Sequence, residues 1–245
     1  MTRLITFADA DAAAERAAAE IAQRIGQARE QRGSAHLVLS GGGTPERTYE
    51  LLVGALREWQ GVEVWFADER CVGPEDEQSN YRMAREKLLQ HVPLAPERIH
   101  RMEGELGPEQ GAQRYGELLS GVAPGEERLP VLDVVVLGIG PDGHVASLFP
   151  EASTLKAPER AVCLGVHDSP KPPPQRITLS LAMLRAARGC LLLATGASKA
   201  HAITGALGEP TPRVPASLLR RERLTVILDD AASPSPDGLS GDAAR

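Results

Sequence analysis

The 245-residue chain is 42% hydrophobic and 24% charged, enough for one α/β domain to bury its own core without disulfide staples. A formal net charge of −6 argues against a general electrostatic grip on nucleic acid. Cys71, Cys163 and Cys190 are too few and too scattered for a disulfide framework or a zinc knuckle, and no apolar run approaches the roughly 20 residues of a membrane helix.

The opening residues turn polar and alanine-rich before any apolar stretch of signal-peptide length, so residence in the cytoplasm is expected. A short strand at Leu4 to Phe7 precedes a long helix over Asp11 to Arg32, dense in Ala, Glu, Arg and Gln and stopped by Gly33. The apolar run Ala35 to Leu39 breaks into Ser40-Gly-Gly-Gly-Thr44, with Thr44 as the expected N-cap of a helix that has Pro45 in its first turn. The order then repeats: strand Val62 to Phe66, a polar loop from Asp68 to Ser79, and a helix from Asn80 to Leu89. Further strands are expected at Leu132 to Ile139, Arg160 to Val166, Cys190 to Ala194 and Leu224 to Leu228. Helical patterns lie near Glu109 to Leu119, Leu179 to Arg188 and Lys199 to Leu207. Continuous apolar strands alternating with helices predict an α/β fold, a mainly parallel Rossmann-like sheet with helices on both faces and ligands beyond the carboxyl ends of its strands. Asp168-Ser-Pro-Lys-Pro-Pro-Pro174 reads as a rigid loop. Residues 1–230 read as one domain, and 231–245, rich in Ser, Pro, Gly and Asp, as a disordered tail.

Three strand ends carry chemistry. In Ser40, Gly41, Gly42, Gly43 and Thr44, glycine freedom lets several N–H groups converge at a helix N-terminus, which suits a phosphate; a tight packing turn is the alternative. The Gly-Lys-Ser/Thr element of a Walker A loop is missing. Past the strand Val62 to Phe66, Asp68, Glu69 and Arg70 sit together. The acids could titrate, bind metal or hold the arginine, and the arginine offers a bidentate fork for phosphate or carboxylate, unless the three form a solvated surface cluster.

The third segment, Gly138-Ile-Gly-Pro-Asp-Gly-His144, matches Gly-x-Gly-x-x-Gly, but it lies mid-chain and lacks a firm acidic partner on the next strand, so a dinucleotide is weakly supported. More telling is His144 directly after Gly143 and two residues after Asp142. An imidazole with a pKa near roughly 6.5 can take a proton and return it within one turnover, and Asp142 is near enough to orient the ring; a purely structural histidine is the alternative. Arg176 and Lys199, the latter at a strand end entering a helix, could complete an anion site or be surface charges. The remaining histidines show no metal-ligand spacing, so neither a metal nor a cofactor is expected. No Gly-x-Ser-x-Gly elbow exists, and Ser147 reads as an ordinary helix residue one turn past His144, which favours water as the nucleophile.

Leu39-Ser-Gly-Gly-Gly-Thr-Pro45, Trp65-Phe-Ala-Asp-Glu-Arg70 with Ser79-Asn-Tyr81, Gly138 to Pro150 and Arg176-Ile-Thr-Leu, in this order, resemble the glucosamine-6-phosphate isomerase/6-phosphogluconolactonase family. Deaminases of that family carry Asp-Glu-Tyr and Asn-Glu-Pro, where this chain has Asp68-Glu-Arg70 and Leu148-Phe-Pro150; the departures lean to the lactonases, with Glu151 the one acid nearby. The resemblance implies hydrolysis of a phosphorylated sugar lactone in the oxidative pentose phosphate route. His144 would act as base, oriented by Asp142, with Arg70 or the glycine loop at the oxyanion, and with Lys199 and Arg176 assisting the loop on phosphate. The expected partner is that small lactone, with no nucleic acid or membrane, in a monomer or small homo-oligomer. An amino-sugar-phosphate deaminase and a non-enzymatic sugar-phosphate sensor are the rival classes.

Overall fold

A computed structural model describes residues 2–125 and 128–234. The chain runs β1 (Arg3–Phe7), α1 (Ala10–Arg32), β2 (Ala35–Leu39), α2 (Gly43–Ala55), β3 (Val62–Phe66), β4 (Asp68–Arg70), α3 (Asn80–Lys87) and α4 (Pro108–Leu119). It continues through β5 (Val134–Gly138), β6 (Cys163–Val166), β7 (Arg176–Leu179), α5 (Leu181–Ala186), β8 (Cys190–Ala194), α6 (Ala200–Leu207) and β9 (Leu224–Asp229).

Six strands form a wholly parallel sheet in the order β1-β9-β8-β5-β2-β3. Every residue of β8 and β9 is buried, so both faces are covered, as their continuous apolar character requires. The long helix α1 is bounded by its own residues. The Asp9 carboxylate accepts from the Ala12 N–H, and Gly33, at φ 77, turns its N–H back onto the Arg29 carbonyl. Its alanine-rich face, Ala13, Ala14, Ala17, Ala18, Ile21 and Ile25, is buried, and small side chains there bring the helix close to α2 and to β2 and β9. Among the described residues no helix is long and apolar enough to cross a membrane.

A second, antiparallel sheet of three strands, β4-β7-β6, departs from the expected single sheet. Asp68 to Arg70, expected in a loop, is a strand paired with β7; Arg160 to Val166 contributes only Cys163–Val166, and to this sheet rather than the central one. The helical pattern proposed over Leu179 to Arg188 gives way to β7 through Leu179 and a short helix that Ser180 caps, its side chain accepting from the Met183 N–H. Three-residue strands lie below the length at which periodicity is readable. Ala231, placed in the irregular tail, lies instead in a short turn at Asp230–Ala232, which the Asp229 carboxylate caps and which buries Ala232. Residues 235–245 of that expected tail lie outside the described residues.

Candidate active site

From β2 the chain crosses to β3 on one side, whereas β5, β8 and β9 extend on the other, so the strand order reverses between β2 and β5. The carboxyl ends of β2, β5 and β8 all open at that crevice. A cavity of about 300 Å³ lies there, lined by the glycine loop, Asp68, Arg70, Asn80, His144, Lys171, Arg176 and Lys199.

The loop after β2 is pinned from beneath. Buried Tyr49 of α2 accepts from the Ser40 N–H at 2.8 Å and donates to the Ser40 carbonyl at 3.0 Å. Ser40 is buried too, and its hydroxyl donates to the Val136 carbonyl at 2.6 Å, so the hydroxyl proton expected for a ligand is committed to β5. Gly42, at φ 107, rather than Thr44, stands at the N-cap, and α2 starts at Gly43. Only glycine takes that backbone readily, which moves the helix start upstream of the hydroxyl. Thr44 instead shares a 3.0 Å hydrogen bond with Thr195, past β8. The first-turn N–H groups of α2, at Gly43 and Thr44, have no intrahelical acceptor, and both residues line the cavity. Gly41 is there for space: a Cβ would lie 1.9 Å from the Asn80 side-chain oxygen.

After β5 the chain makes a tight turn, closed by Gly140 N–H to the His144 carbonyl and Gly143 N–H to the Gly140 carbonyl, both 2.9 Å. No helix opens there, so the Gly-x-Gly-x-x-Gly match lacks the helix N-terminus that holds a pyrophosphate. The turn folds Asp142 back onto His144, with Nδ1 2.5 Å from Asp142 Oδ1. Gly140 makes room for this contact, since a Cβ would stand 2.0 Å from His144 Nδ1 and 2.4 Å from Asp142 Oδ1. Gly143, at φ 82, packs on Val214, where a Cβ would meet Cγ1 at 2.7 Å. The His144 ring lies 4.7 Å from that of Phe149. Burial holds the His144 pKa below the ordinary imidazole value, against the pull of Asp142 and with help from Lys171. For Asp142, burial works upward, but the His144 hydrogen bond and the neighbouring cations bring its pKa below the usual value. Ser147 is not in a helix; it is buried, and its hydroxyl donates to Asp68 Oδ2 at 2.6 Å.

The small sheet supplies the opposite wall. Its register sets Arg70 directly across from Arg176. Like charges opposite one another cost stability in a sheet, so this pairing suits a site for an anion. Buried Arg176 spends Nε on the Pro173 carbonyl at 3.1 Å and Nη2 on the Lys171 and Pro172 carbonyls at 3.1 and 3.2 Å, and it lies 5.6 Å over the Phe149 ring. Burial, together with Arg70, lowers its pKa. Arg70 donates from Nη1 to the Gln78 carbonyl at 2.7 Å, while its buried Nε has no hydrogen-bond partner among the described residues. Glu69 faces away from the chemistry: its carboxylate gathers the N–H groups of Arg70, Asn80 and Tyr81 and the Ser79 hydroxyl at 2.7 to 3.0 Å, and so locks the start of α3. Burial pushes its pKa up against those donors. Asp68, also buried, receives Ser147 and the Asn80 amide and borders the cavity.

Two cavity residues went unread as site residues. Lys171 Nζ lies 3.4 Å from both Asp142 Oδ1 and His144 Nδ1. Its one signal in the sequence is that it is the sole basic residue of the proline loop. Asn80, within the quoted Ser79-Asn-Tyr81, donates to the Asp68 carbonyl at 2.9 Å and has no motif of its own. Lys199 lines the same cavity, with a pKa lowered by burial and then by Lys171. Among the described residues no three His, Cys, Asp or Glu side chains group as a metal site.

A family model described as glucosamine-6-phosphate isomerases/6-phosphogluconolactonase matches residues 8–228. The 6-phosphogluconolactonase of Streptomyces coelicolor is 40% identical, over 94% of this chain and 93% of its own. A 6-phosphogluconolactonase structure from Trypanosoma cruzi superposes with a TM-score of 0.82 at 27% identity, covering 95% of this chain and 96% of that one. A monomeric glucosamine-6-phosphate deaminase shares the fold, with a TM-score of 0.77 at 23% identity over 94% of this chain and 98% of its own. The chain belongs to the glucosamine-6-phosphate isomerase/6-phosphogluconolactonase family.

Proposed function

We propose that this chain hydrolyses 6-phosphoglucono-δ-lactone to 6-phosphogluconate, a step of the oxidative pentose phosphate route, with His144 as the general base. The observation that carries the reading is the 2.5 Å His144–Asp142 contact, set in a cavity that also holds Arg70, Lys171, Arg176 and Lys199. With Nδ1 held on a carboxylate, the ring proton stays at that nitrogen and Nε2 is left as the acceptor. Burial keeps the ring neutral near pH 7, the form a base needs.

The substrate phosphate sits against the first-turn N–H groups of α2, with Lys199 supplying charge, and this remote binding fixes the lactone relative to the base. Nε2 takes a proton from water as its oxygen attacks the lactone carbonyl carbon. The carbonyl oxygen becomes an oxyanion that faces Arg70 and Lys171. When the intermediate collapses, the bond from carbon to ring oxygen breaks, and the imidazolium returns its proton to that oxygen as the hydroxyl of the open acid. Arg176, whose Nε and Nη2 are held by the loop carbonyls, keeps Lys171 in place and lines the same cavity.

His144→Ala should lower turnover by about 10²- to 10⁴-fold while leaving the fold intact; lactone hydrolysis above the spontaneous rate, followed by acid release, measures it. Near-normal turnover by the folded variant would remove the base from the mechanism. Glucosamine-6-phosphate in a coupled ammonia assay should give no signal, since a deaminase would release ammonia from it.

A further inference from the structure

A second cavity, of about 560 Å³, lies at the opposite, amino-terminal end of the central sheet. It is bordered by residues that begin or precede strands: Arg3, Asp133, Gly189, Leu224 and Thr225. Five arginines line it, namely Arg3, Arg24, Arg32, Arg188 and Arg223, against two acids, Asp133 and Glu222. Beneath the wall, buried Glu20 holds Arg3, Arg16 and Arg24 at 2.6 to 3.2 Å. Buried Asp133 holds Arg32 at 2.7 Å and Arg188 at 3.3 Å, and also takes the His36 N–H.

Two buried carboxylates thus hold four of the five lining guanidinium groups, and Arg16 besides, more positive charge than they neutralise. They also fix those groups in place. Arg24 is held through Nε and Nη2 by Glu20 and through Nη2 by Thr225 at 2.8 Å, which leaves Nη1 turned toward Gly189 in the wall, 2.3 Å from where a Cβ would stand. Arg223 gives Nη1 to the Ala186 and Ala187 carbonyls, and Arg188 meets Asp133 through Nε. Each guanidinium carries five N–H donors, so planar edges remain for a ligand. Cations held close together without a matching number of anions raise the local potential, and prepositioned forks match phosphate oxygens two at a time. The volume is that of a small-molecule site.

We propose that this cavity binds a small polyvalent phosphate-bearing anion, separately from the His144 cleft. Its position at the amino ends of β5 and β8 puts it at the far end of the same two strands whose carboxyl ends carry His144 and Lys199.

The test is calorimetric titration of the full chain with inorganic pyrophosphate at low salt, in a Lys171→Gln/Lys199→Gln background that weakens anion binding in the cleft. One saturable site is expected to remain. Adding Arg3→Gln and Arg188→Gln, both half-exposed in the parent, should weaken it roughly tenfold or more through the loss of two forks. Glu222→Gln, which removes a competing carboxylate from the rim, should tighten it. Should the arginine variant fail to fold, Arg188→Lys, which keeps the charge and loses the fork, is expected to bind several-fold more weakly. Absence of saturable binding in the background, or unchanged affinity in both arginine variants, would overturn the proposal.

Discussion

His144 sits in a balance of burial and nearby charges. Burial lowers its pKa, Asp142 raises it and Lys171 lowers it. Those signs set the acid limb of a kcat/KM profile, where protonation of the base ends activity. The limb should fall below the ordinary imidazole value in the wild type. Lys171→Gln should move it up, because a charge that disfavours imidazolium is gone; Asp142→Asn should move it down while cutting turnover by about 10²-fold or more, since the ring loses its orienting carboxylate. A pH-rate profile on each folded variant reads both, and a shift in the opposite sense would break the assignment. Gly140→Ala is a cleaner probe of geometry. Its Cβ would occupy the space where Nδ1 and Oδ1 meet, so hydrolysis should fall by about tenfold or more, with the melting temperature less affected. Neither glycine nor lysine could be assigned these roles from residue types alone: the Asp142–His144 spacing was suggestive, but only the turn made it a contact, and Lys171 reaches His144 from 27 residues away.

Among the elements, α2 shows how a helix can anchor the loop that precedes it. Tyr49, one and a half turns into the helix, satisfies both backbone groups of Ser40 and so holds the end of β2 where the glycine loop begins. Tyr49→Phe would leave a buried N–H and carbonyl unpaired, at a cost of about 1–3 kcal/mol, measurable as a lowered denaturation midpoint. A rise in KM should accompany it as the loop loosens. Tyr115 of α4 makes the same kind of clamp on Phe66 at the end of β3. The long apolar strands and α1 were legible in the sequence because their period extends over enough residues to be read. β4 and β7 were not, since β4 is three charged residues and the alternation of β7 spans only four; their pairing is a tertiary event that places Arg70 opposite Arg176. Arg176, a candidate for phosphate, gives Nε and Nη2 to the carbonyls of the proline loop and still lines the cavity. In an apolar setting its donors go to the nearest unpaired acceptors.

At the scale of the molecule, an acidic chain concentrates cations locally, at the crevice as at the opposite end of the sheet. A net charge of −6 coexists with Arg70, Lys171, Arg176 and Lys199 around a single cavity, so the field that draws in a dianionic substrate is local. Raising ionic strength from about 0.01 M to 0.15 M shortens the screening length from about 30 Å to 8 Å, and KM should climb across that range with kcat little changed. Lys199→Gln should flatten the dependence. A KM insensitive to salt would argue against charge-led binding.

By itself the sequence determined the parallel α/β class, the three strand ends that meet at the crevice and the His144 candidate, because periodic burial and glycine-rich turns are local properties of the chain. The tertiary structure alone decided which side chains act together. Hydrogen-bond partners and charge neighbours depend on through-space distance. For that reason the Ser40 hydroxyl turns to Val136, Glu69 to the start of α3 and two of the three Arg176 nitrogens to its loop, whereas Lys171, from the proline loop, comes to rest beside the histidine.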